Sequence, residues 1–393
     1  MSFNKNIGHY MTRKYKIIYF SSIILLLISS IPTILGKISY LSLMAFLLIN
    51  LSFNKKKFFD YILILFMIVL FIINILRIDN FKEIDLVVFN FLIQIITIIS
   101  IPYNKPIYEK IIYNSIKIML IINITATILF LITDNLAPVF IDATHAKGFE
   151  GFWALKGVYS TPQILASLAL FFIIFSISER KNNSIFVKII PYIILPITLN
   201  RVNIFIGIII FTLSKLLKRL NIRKIIIIFS LIFIISVSLL LISNIEITKI
   251  NTIESRIYLT KSVIERIDFH SLSDIIFGNF TKIEFYLYRY QITKDYIENG
   301  HLFIFKYFGL IGLISYIFLS FCLVHTLFRR NKYTLAIFSF FYLFVTQLFT
   351  NEYLTIAYMQ IVTLLIFSCK NNKVITDNST RINFFIKNNK LTR

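Results

Sequence analysis

The sequence predicts an all-α fold, specifically a polytopic integral membrane protein with about 12 transmembrane helices and one large extracytoplasmic loop. Of its 393 residues, 57% are hydrophobic and only 15% are charged, whereas a soluble domain carries about 25% charged residues. The mean hydropathy is +0.79. Long apolar runs of about 20 residues match the hydrocarbon core of a bilayer. Their apolar residues are continuous and do not alternate, which favours helices over a transmembrane barrel.

Twelve apolar segments define the predicted domain organisation. A membrane domain, 1–243, holds about nine spans, and a large periplasmic loop that is partly helical follows at 244–301. Three further spans lie in 302–369, and a disordered cytoplasmic tail occupies 370–393. The predicted spans are 17–35, 38–53, 58–76, 84–101, 111–133, 158–178, 185–199, 202–217, 224–243, 302–326, 333–350 and 353–369.

The charge distribution fixes the predicted orientation. The chain has 41 Lys and Arg against 19 Asp and Glu, a formal net charge of +22. With both termini in the cytoplasm, the basic residues concentrate in the inside connections, including the clusters at 55–57, 218–219 and 329–330. Cytoplasmic loops of membrane proteins carry this excess of Lys and Arg. The charge therefore indicates a lipid bilayer as partner and no nucleic acid.

Familiar cofactor motifs are absent from the sequence. We find no phosphate-binding P-loop, no dinucleotide-binding glycine pattern, and no His or Cys spacing typical of a metal site. Both cysteines, Cys322 and Cys369, lie inside predicted spans, so no disulfide framework is expected. We therefore expect no cofactor, neither nucleotide nor metal.

Three arginines in the predicted outer segments are candidates for binding a phosphate group: Arg201, Arg256 and Arg289. A guanidinium is a planar fork of donors that holds phosphate oxygens bidentately and stays charged. Arg201 follows Leu199 and Asn200 in a tight turn between two short spans, an unusual place for a membrane anchor. The alternative is that each arginine pairs with a neighbouring carboxylate or reaches out of the membrane surface.

Glu298 and His301, just before the tenth span, are candidates for a general base acting on a sugar hydroxyl. An acidic residue there could instead stabilise the start of a helix. Tyr288 belongs to a tyrosine and arginine mixture at 286–296 that could stack on sugar rings or form an interfacial aromatic belt.

Six short segments share an order and spacing with a known family: 157–166, 198–201, 255–256, 274–278, 298–302 and 309–312. Together they resemble the O-antigen polymerase and ligase superfamily of bacterial surface polysaccharide assembly. The ligase branch has a His-Asn pair whose histidine stands eleven residues before the glycine that corresponds to Gly309. Here that pair is Glu298 and Asn299, which favours the polymerase branch.

The resemblance implies a bacterial inner-membrane enzyme that needs no metal or nucleotide. Its substrate would be an undecaprenyl-diphosphate-linked oligosaccharide, which a Wzy-type polymerase joins into O-antigen or capsular polysaccharide. Arg201, Arg256 and Glu298 would be catalytic, and Arg201, Arg256, Arg289, His301 and Tyr288 would bind substrate. A chain-length regulator and a flippase of the same pathway would be partners.

Three other functions remain open at this point. An O-antigen ligase would transfer finished glycan from the same lipid to a lipid A core. A lipid-linked glycan flippase or transporter would need polar residues along a midplane path, and the predicted spans offer few. A structural scaffold without catalysis would tolerate replacement of the arginines.

Overall fold

A computed structural model describes residues 13–53, 58–78, 80–132, 141–143, 153–217, 251–267, 269, 271–287 and 291–370. Helices make up 78% of these residues, which confirms the mainly helical class. Two short antiparallel hairpins accompany the helices, one pairing Ile141 with Leu155 and the other pairing Phe285 with Lys294.

The helices in the first half of the chain are α1 Arg13–Ser29, α2 Pro32–Leu35, α3 Lys37–Phe53, α4 Phe58–Leu76, α5 Val87–Ser100, α6 Pro106–Ile132, α7 Pro162–Ser178, α8 Ile185–Ile197 and α9 Arg201–Leu217. The second half contains α10 Asn251–Ile264, α11 Leu272–Phe277, α12 Gly300–Arg329, α13 Tyr333–Phe340, α14 Gln347–Phe349 and α15 Ile356–Lys370. The strands are β1 Ile141–Ala143, β2 Trp153–Leu155, β3 Phe285–Leu287 and β4 Ile292–Lys294.

Eleven of the twelve predicted apolar segments coincide with helices, and the segment 224–243 lies outside the described residues. The first predicted segment is two helices, because Pro32 begins α2 after a turn at Ser30 and Ile31. Proline suits the first turn of a helix, where its missing N–H has no partner to lose. The prediction was accurate because a continuous apolar run fixes the extent of a helix more firmly than any local propensity.

Two central helices, α7 and α15, form the core. From Pro162 to Phe175 almost every side chain of α7 is buried, and α15 is buried along most of its length. The second of these contacts α5, α6, α7 and α12. Polar side chains between helices find partners inside this core: Gln360 donates to the hydroxyl of Ser115 at 3.1 Å. Each such bond contributes about 1 kcal/mol and pairs a buried donor.

The outward faces of several helices are apolar, the reverse of a soluble protein. On α4, Phe58, Leu65 and Leu76 are at least 60% exposed, and on α12, Ile314 and Phe318 are similarly exposed. The helices Pro106–Leu129 and Gly300–Arg329 are long and apolar enough to cross a membrane, and nine further apolar helices in the described ranges have 10–17 residues. These features indicate association with a membrane.

Two glycines join the segment after α11 to the middle of α12. Gly309 interrupts α12 with φ 62° and ψ −163°, and Gly278 ends α11 with φ 82° and ψ −174°. The two backbones are in direct contact, since a Cβ on Gly278 would lie 2.2 Å from the carbonyl oxygen of Tyr307. Only glycine readily adopts this backbone conformation. We call this contact the glycine joint.

Charged side chains hold the glycine joint from both sides. Arg77, after α4, forms an ion pair with Asp274 and donates to the carbonyl of Gly278 at 2.9 Å. On α12, the buried Lys306 ammonium donates to the carbonyl oxygens of Asn279 and Thr281 at 2.6 and 3.0 Å. The chain between α11 and β3 is therefore fixed to the helices, which positions the site described next.

Candidate functional site

A small cleft lies between α10, the β3–β4 hairpin and the start of α12. One wall carries the polar groups of Arg256, Tyr296, Glu298 and Asn299. The apolar lining residues come from α10, β3, the connection after β4, α12 and α14 and are Leu259, Val263, Phe285, Ile297, Leu302, Leu348 and Phe349. Such a cleft suits a ligand that is both polar and apolar.

Arg256 and Glu298, each a candidate for its own chemistry, form an ion pair at this cleft. Lys294, at the end of β4, binds the other oxygen of the same carboxylate at 2.7 Å, and the Tyr296 hydroxyl donates to that oxygen at 3.3 Å. One carboxylate thus lies between two cations, and the cluster carries a net charge of +1. Neither side chain of the Arg256–Glu298 pair is more than about a third exposed.

The electrostatics of the cluster favour binding an anion. Partial burial lowers the pKa of Arg256, and the nearby Tyr296 opposes this shift. A guanidinium nevertheless remains protonated in proteins. Because water is partly excluded, an anion entering the cleft would interact with the excess positive charge more strongly than it would in bulk solvent. The start of α12 adds a helix N-terminus, which Asn299 caps by accepting from the N–H of Leu302 at 3.0 Å.

His301 lies one residue inside α12, and both of its ring nitrogens contact protein atoms. Nε2 is 3.0 Å from the carbonyl oxygen of Phe344, and Nδ1 is 3.3 Å from the Tyr353 hydroxyl. A carbonyl can only accept, so Nε2 carries the proton and Nδ1 accepts from the tyrosine. In this arrangement His301 connects α12 to Phe344 and Tyr353. Both of its ring nitrogens have a hydrogen-bond partner, so neither is left free for a ligand in the cleft.

The carbonyl that His301 uses is available because the helix after α13 widens into a π-helical turn, Phe341–Thr346. A π-helical turn replaces the usual i→i+4 bonds with i→i+5 bonds and frequently occurs at functional sites. The carbonyl of Leu343, in the same turn, accepts from the Tyr316 hydroxyl at 2.9 Å. The turn leads directly into α14, whose Leu348 and Phe349 line the cleft.

Arg201 is the first residue of α9, in the tight hairpin that the sequence predicted. The hairpin closes through Leu199, which has a left-handed φ of 49°, and Asn200, whose side chain accepts from the N–H of Asn203 at 2.9 Å. This is the pattern of an N-cap. The Arg201 side chain is exposed and does not line the cleft.

Asn203, two residues after Arg201 in α9, is connected by hydrogen bonds to a residue near the cleft. Its amide donates to the Ser167 hydroxyl at 3.1 Å, and that hydroxyl donates to Glu352 at 2.8 Å. Glu352 in turn follows α14, which lines the cleft.

Tyr288 and Arg289, the other two predicted substrate-binding residues, lie outside the described residues.

Two residues of the site were not selected from the sequence. Lys294 is a second cation on Glu298, and its i,i+4 spacing from that residue could have suggested a pair. Glu352 is a lone carboxylate between two long apolar segments, and such an isolated acid in a membrane-like sequence is itself a functional signal. Among the described residues, no group of three or more His, Cys, Asp or Glu side chains could hold a metal ion.

Comparisons with known proteins add no family assignment. No protein-family model matches the chain, and no curated protein matches it.

Proposed function

We propose that this protein is a membrane glycosyltransferase that polymerises undecaprenyl-diphosphate-linked oligosaccharide repeat units into O-antigen or capsular polysaccharide. It would act at the outer face of the bacterial inner membrane, with about 12 spans and both termini in the cytoplasm. The observation that carries the proposal is the charged cluster in which Arg256 and Lys294 flank Glu298, at a cleft lined by Arg256 and Glu298. The cleft joins these charges to an apolar wall in a chain with apolar outer faces.

A lipid-linked diphosphate has an anionic part and an apolar part, and these match the two kinds of residue that line the cleft. Its diphosphate is an anion that the excess positive charge would bind, and its polyprenyl chain is apolar. When the glycosidic bond to the diphosphate breaks, negative charge grows on the leaving oxygen. Cations fixed in a partly dry site stabilise such developing charge and are frequently the largest single contribution to catalysis.

The reaction needs few groups. The acceptor hydroxyl attacks the anomeric carbon of the donor, the bond from that carbon to the diphosphate oxygen breaks, and the hydroxyl proton must leave. Glu298 would orient or deprotonate the acceptor hydroxyl while Arg256 holds the diphosphate. Arg201, at the hairpin tip, would bind the second lipid-linked substrate.

The fold gives further support because sequence segments that carry the resemblance contact one another. Segment 274–278 meets Gly309 in the glycine joint, and Arg256 pairs with Glu298. Helix α7, which begins within segment 157–166, reaches the turn that contains Arg201 through the Ser167–Asn203 bond. Segments far apart in sequence are therefore close in space.

The experiment is to delete the protein in its native host and complement it with variants. Arg256→Ala and Arg201→Ala should abolish long polysaccharide chains while the variant protein remains in the membrane. Arg266→Ala is the matched control, because Arg266 is an exposed arginine close to Arg256 in sequence that does not line the cleft. Surface polysaccharide is separated by gel electrophoresis, and variant protein is quantified in membranes.

The band pattern separates the candidate functions. Loss of a polymerase leaves single repeat units on the lipid A core, whereas loss of a ligase leaves no glycan attached. Loss of a flippase leaves lipid-linked units on the cytoplasmic side. A scaffold would tolerate both arginine substitutions. Wild-type chain lengths in both arginine variants would refute the proposal.

A further inference from the structure

Glu352 is a buried carboxyl group in the short connection between α14 and α15. It is 1% exposed, and no Lys or Arg in the described part of the chain forms an ion pair with it. The connection is fixed locally, because the N–H of Glu352 donates to the Gln347 side chain at 3.1 Å. The connection that carries the carboxyl group is therefore held in place, and no cation among the described residues compensates its charge.

Hydrogen bonds connect this carboxyl group to both parts of the proposed site. On one side, Oε1 accepts from Ser167, and Ser167 accepts from Asn203, two residues after Arg201. On the other side, the neighbouring Asn351 donates to the carbonyl of Ile297 at 3.0 Å, next to Glu298. The connection at 351–352 thus links the Arg201 end of α9 to the cleft wall.

The surroundings of Glu352 favour its neutral form. Burial raises the pKa of its carboxyl group to about 7, an effect that the hydrogen bond from Ser167 and the proximity of Tyr342 oppose only in part. Its second oxygen, Oε2, is buried and accepts no hydrogen bond from a described residue. A carboxylate in that position would be an unpaired buried charge, which is among the most costly arrangements in a protein interior.

Among the residues that the structure describes, no other group facing Glu352 ordinarily titrates near pH 7. Ser167 of α7 and, behind it, Asn203 of α9 do not titrate. Tyrosines ordinarily ionise near pH 10. The tyrosines of the surrounding cluster are Tyr342 from the π-helical turn, Tyr316 from α12, Tyr353 from the same connection and Tyr358 from α15. His301 is separated from Glu352 by Tyr353, to which it is hydrogen-bonded.

We propose that Glu352 is a positioning residue of the site, a neutral carboxylic acid that holds the Arg201 end of α9 against the wall of the cleft. This inference rests on the proposed function for its consequence in catalysis. Ionisation of Glu352 places a charge between α7, α9 and α14, and the Ser167 and Asn203 contacts then give way to solvation of the carboxylate. Arg201 and Arg256 are correctly spaced only while the proton is present.

The first test measures the protonation state and does not depend on the proposed function. Purified full-length protein in detergent is titrated and followed by infrared difference spectroscopy. Wild-type protein should show the carbonyl stretch of a buried carboxylic acid that disappears with a midpoint near pH 7. Glu352→Gln should lack this band, and Glu265→Gln, at an exposed carboxylate, should retain it. A band unchanged in Glu352→Gln, or a midpoint near pH 4, would overturn the proposal.

The second test measures polymer synthesis by membranes as a function of pH. Wild-type activity should fall by roughly tenfold for each pH unit above the midpoint, as the neutral fraction does. Glu352→Gln, which is neutral at every pH, should keep its activity across this range, whereas Glu352→Ala should lose it. Equal pH profiles of wild type and Glu352→Gln would refute the positioning role. Activity retained in Arg256→Ala would instead refute the proposed function, and the infrared result would still decide the state of Glu352.

Discussion

Substitution of Gly309 by alanine should destabilise the protein far more than the same change in an ordinary helix. Gly309 has φ 62° and ψ −163°, a backbone conformation that is almost confined to glycine. A Cβ at this position would lie 2.3 Å from the carbonyl oxygen of Ile276 and 2.6 Å from the nitrogen of Gly278. Both neighbours are backbone atoms, so they cannot move aside as the end of a side chain can.

The expected cost follows from these two effects. Holding a residue other than glycine in this conformation costs about 1–3 kcal/mol. Forcing a methyl group into occupied space costs about 1–3 kcal/mol more. We therefore expect Gly309→Ala to lower the free energy of unfolding by roughly 2–6 kcal/mol. Gly207→Ala is the matched control, because Gly207 is helical. A Cβ added there would lie 3.1 Å from a methyl group of the Leu170 side chain and would meet no backbone atom. The control should change stability by less than about 1 kcal/mol.

The assay is unfolding of detergent-solubilised protein by titration with a denaturing detergent, followed by circular dichroism. Wild type, Gly309→Ala and Gly207→Ala are compared in the same mixed micelles. Hydrogen exchange then shows whether residues 272–278, which lie across the joint, lose protection in Gly309→Ala alone. If Gly309→Ala unfolds together with the Gly207→Ala control, the argument from backbone strain is wrong.

Three further predictions concern charges. Arg77→Ala should lower the free energy of unfolding by about 1–3 kcal/mol and increase hydrogen exchange around Gly278, because the carbonyl that it holds loses its donor. Lys306→Met, which keeps the side-chain length, should lower the free energy of unfolding by about 2–6 kcal/mol in the same assay, because the carbonyls of Asn279 and Thr281 lose the donor that Lys306 supplies. The pKa of Glu352 is about 7 in the folded protein against an ordinary 4.5. The folded state therefore binds more protons between these values, and wild-type stability should fall by about 3 kcal/mol as pH rises through this window. Above about pH 7 the loss is complete, and Glu352→Gln should show none of it in unfolding titrations at several pH values.

The helices could be predicted from the sequence because their signal is a long, uninterrupted apolar run. The segment predicted at 58–76 is the helix Phe58–Leu76. The interruptions within two later helices could not be predicted, since Gly309 and the π-helical turn at Phe341–Thr346 lie within equally apolar sequence. Both depend on contacts with distant residues: Gly309 on the backbone of Gly278, and the turn on His301 and Tyr316.

The candidate site was predictable as a set of residue types but not as a set of contacts. Arg256 suggested anion binding and Glu298 suggested a base, each for its own chemistry. Their ion pair joins residues 42 positions apart, which no local pattern reveals. Glu352 was overlooked because its importance depends on burial and on Ser167, which is 185 residues away. A single carboxylate in a polar connection would have no such role if it were exposed.

The π-helical turn also determines the direction in which Leu348 and Phe349, the lining residues from α14, face. Successive residues of an α-helix are rotated by about 100° around its axis. A π-helical turn holds one residue more than an α-helical turn. If Phe341–Thr346 wound as a regular α-helix with no residue removed, Leu348 and Phe349 would therefore be rotated by about 100° out of the lining of the cleft. Chain length within this helix is therefore as much a determinant of the cleft as the identity of its lining residues.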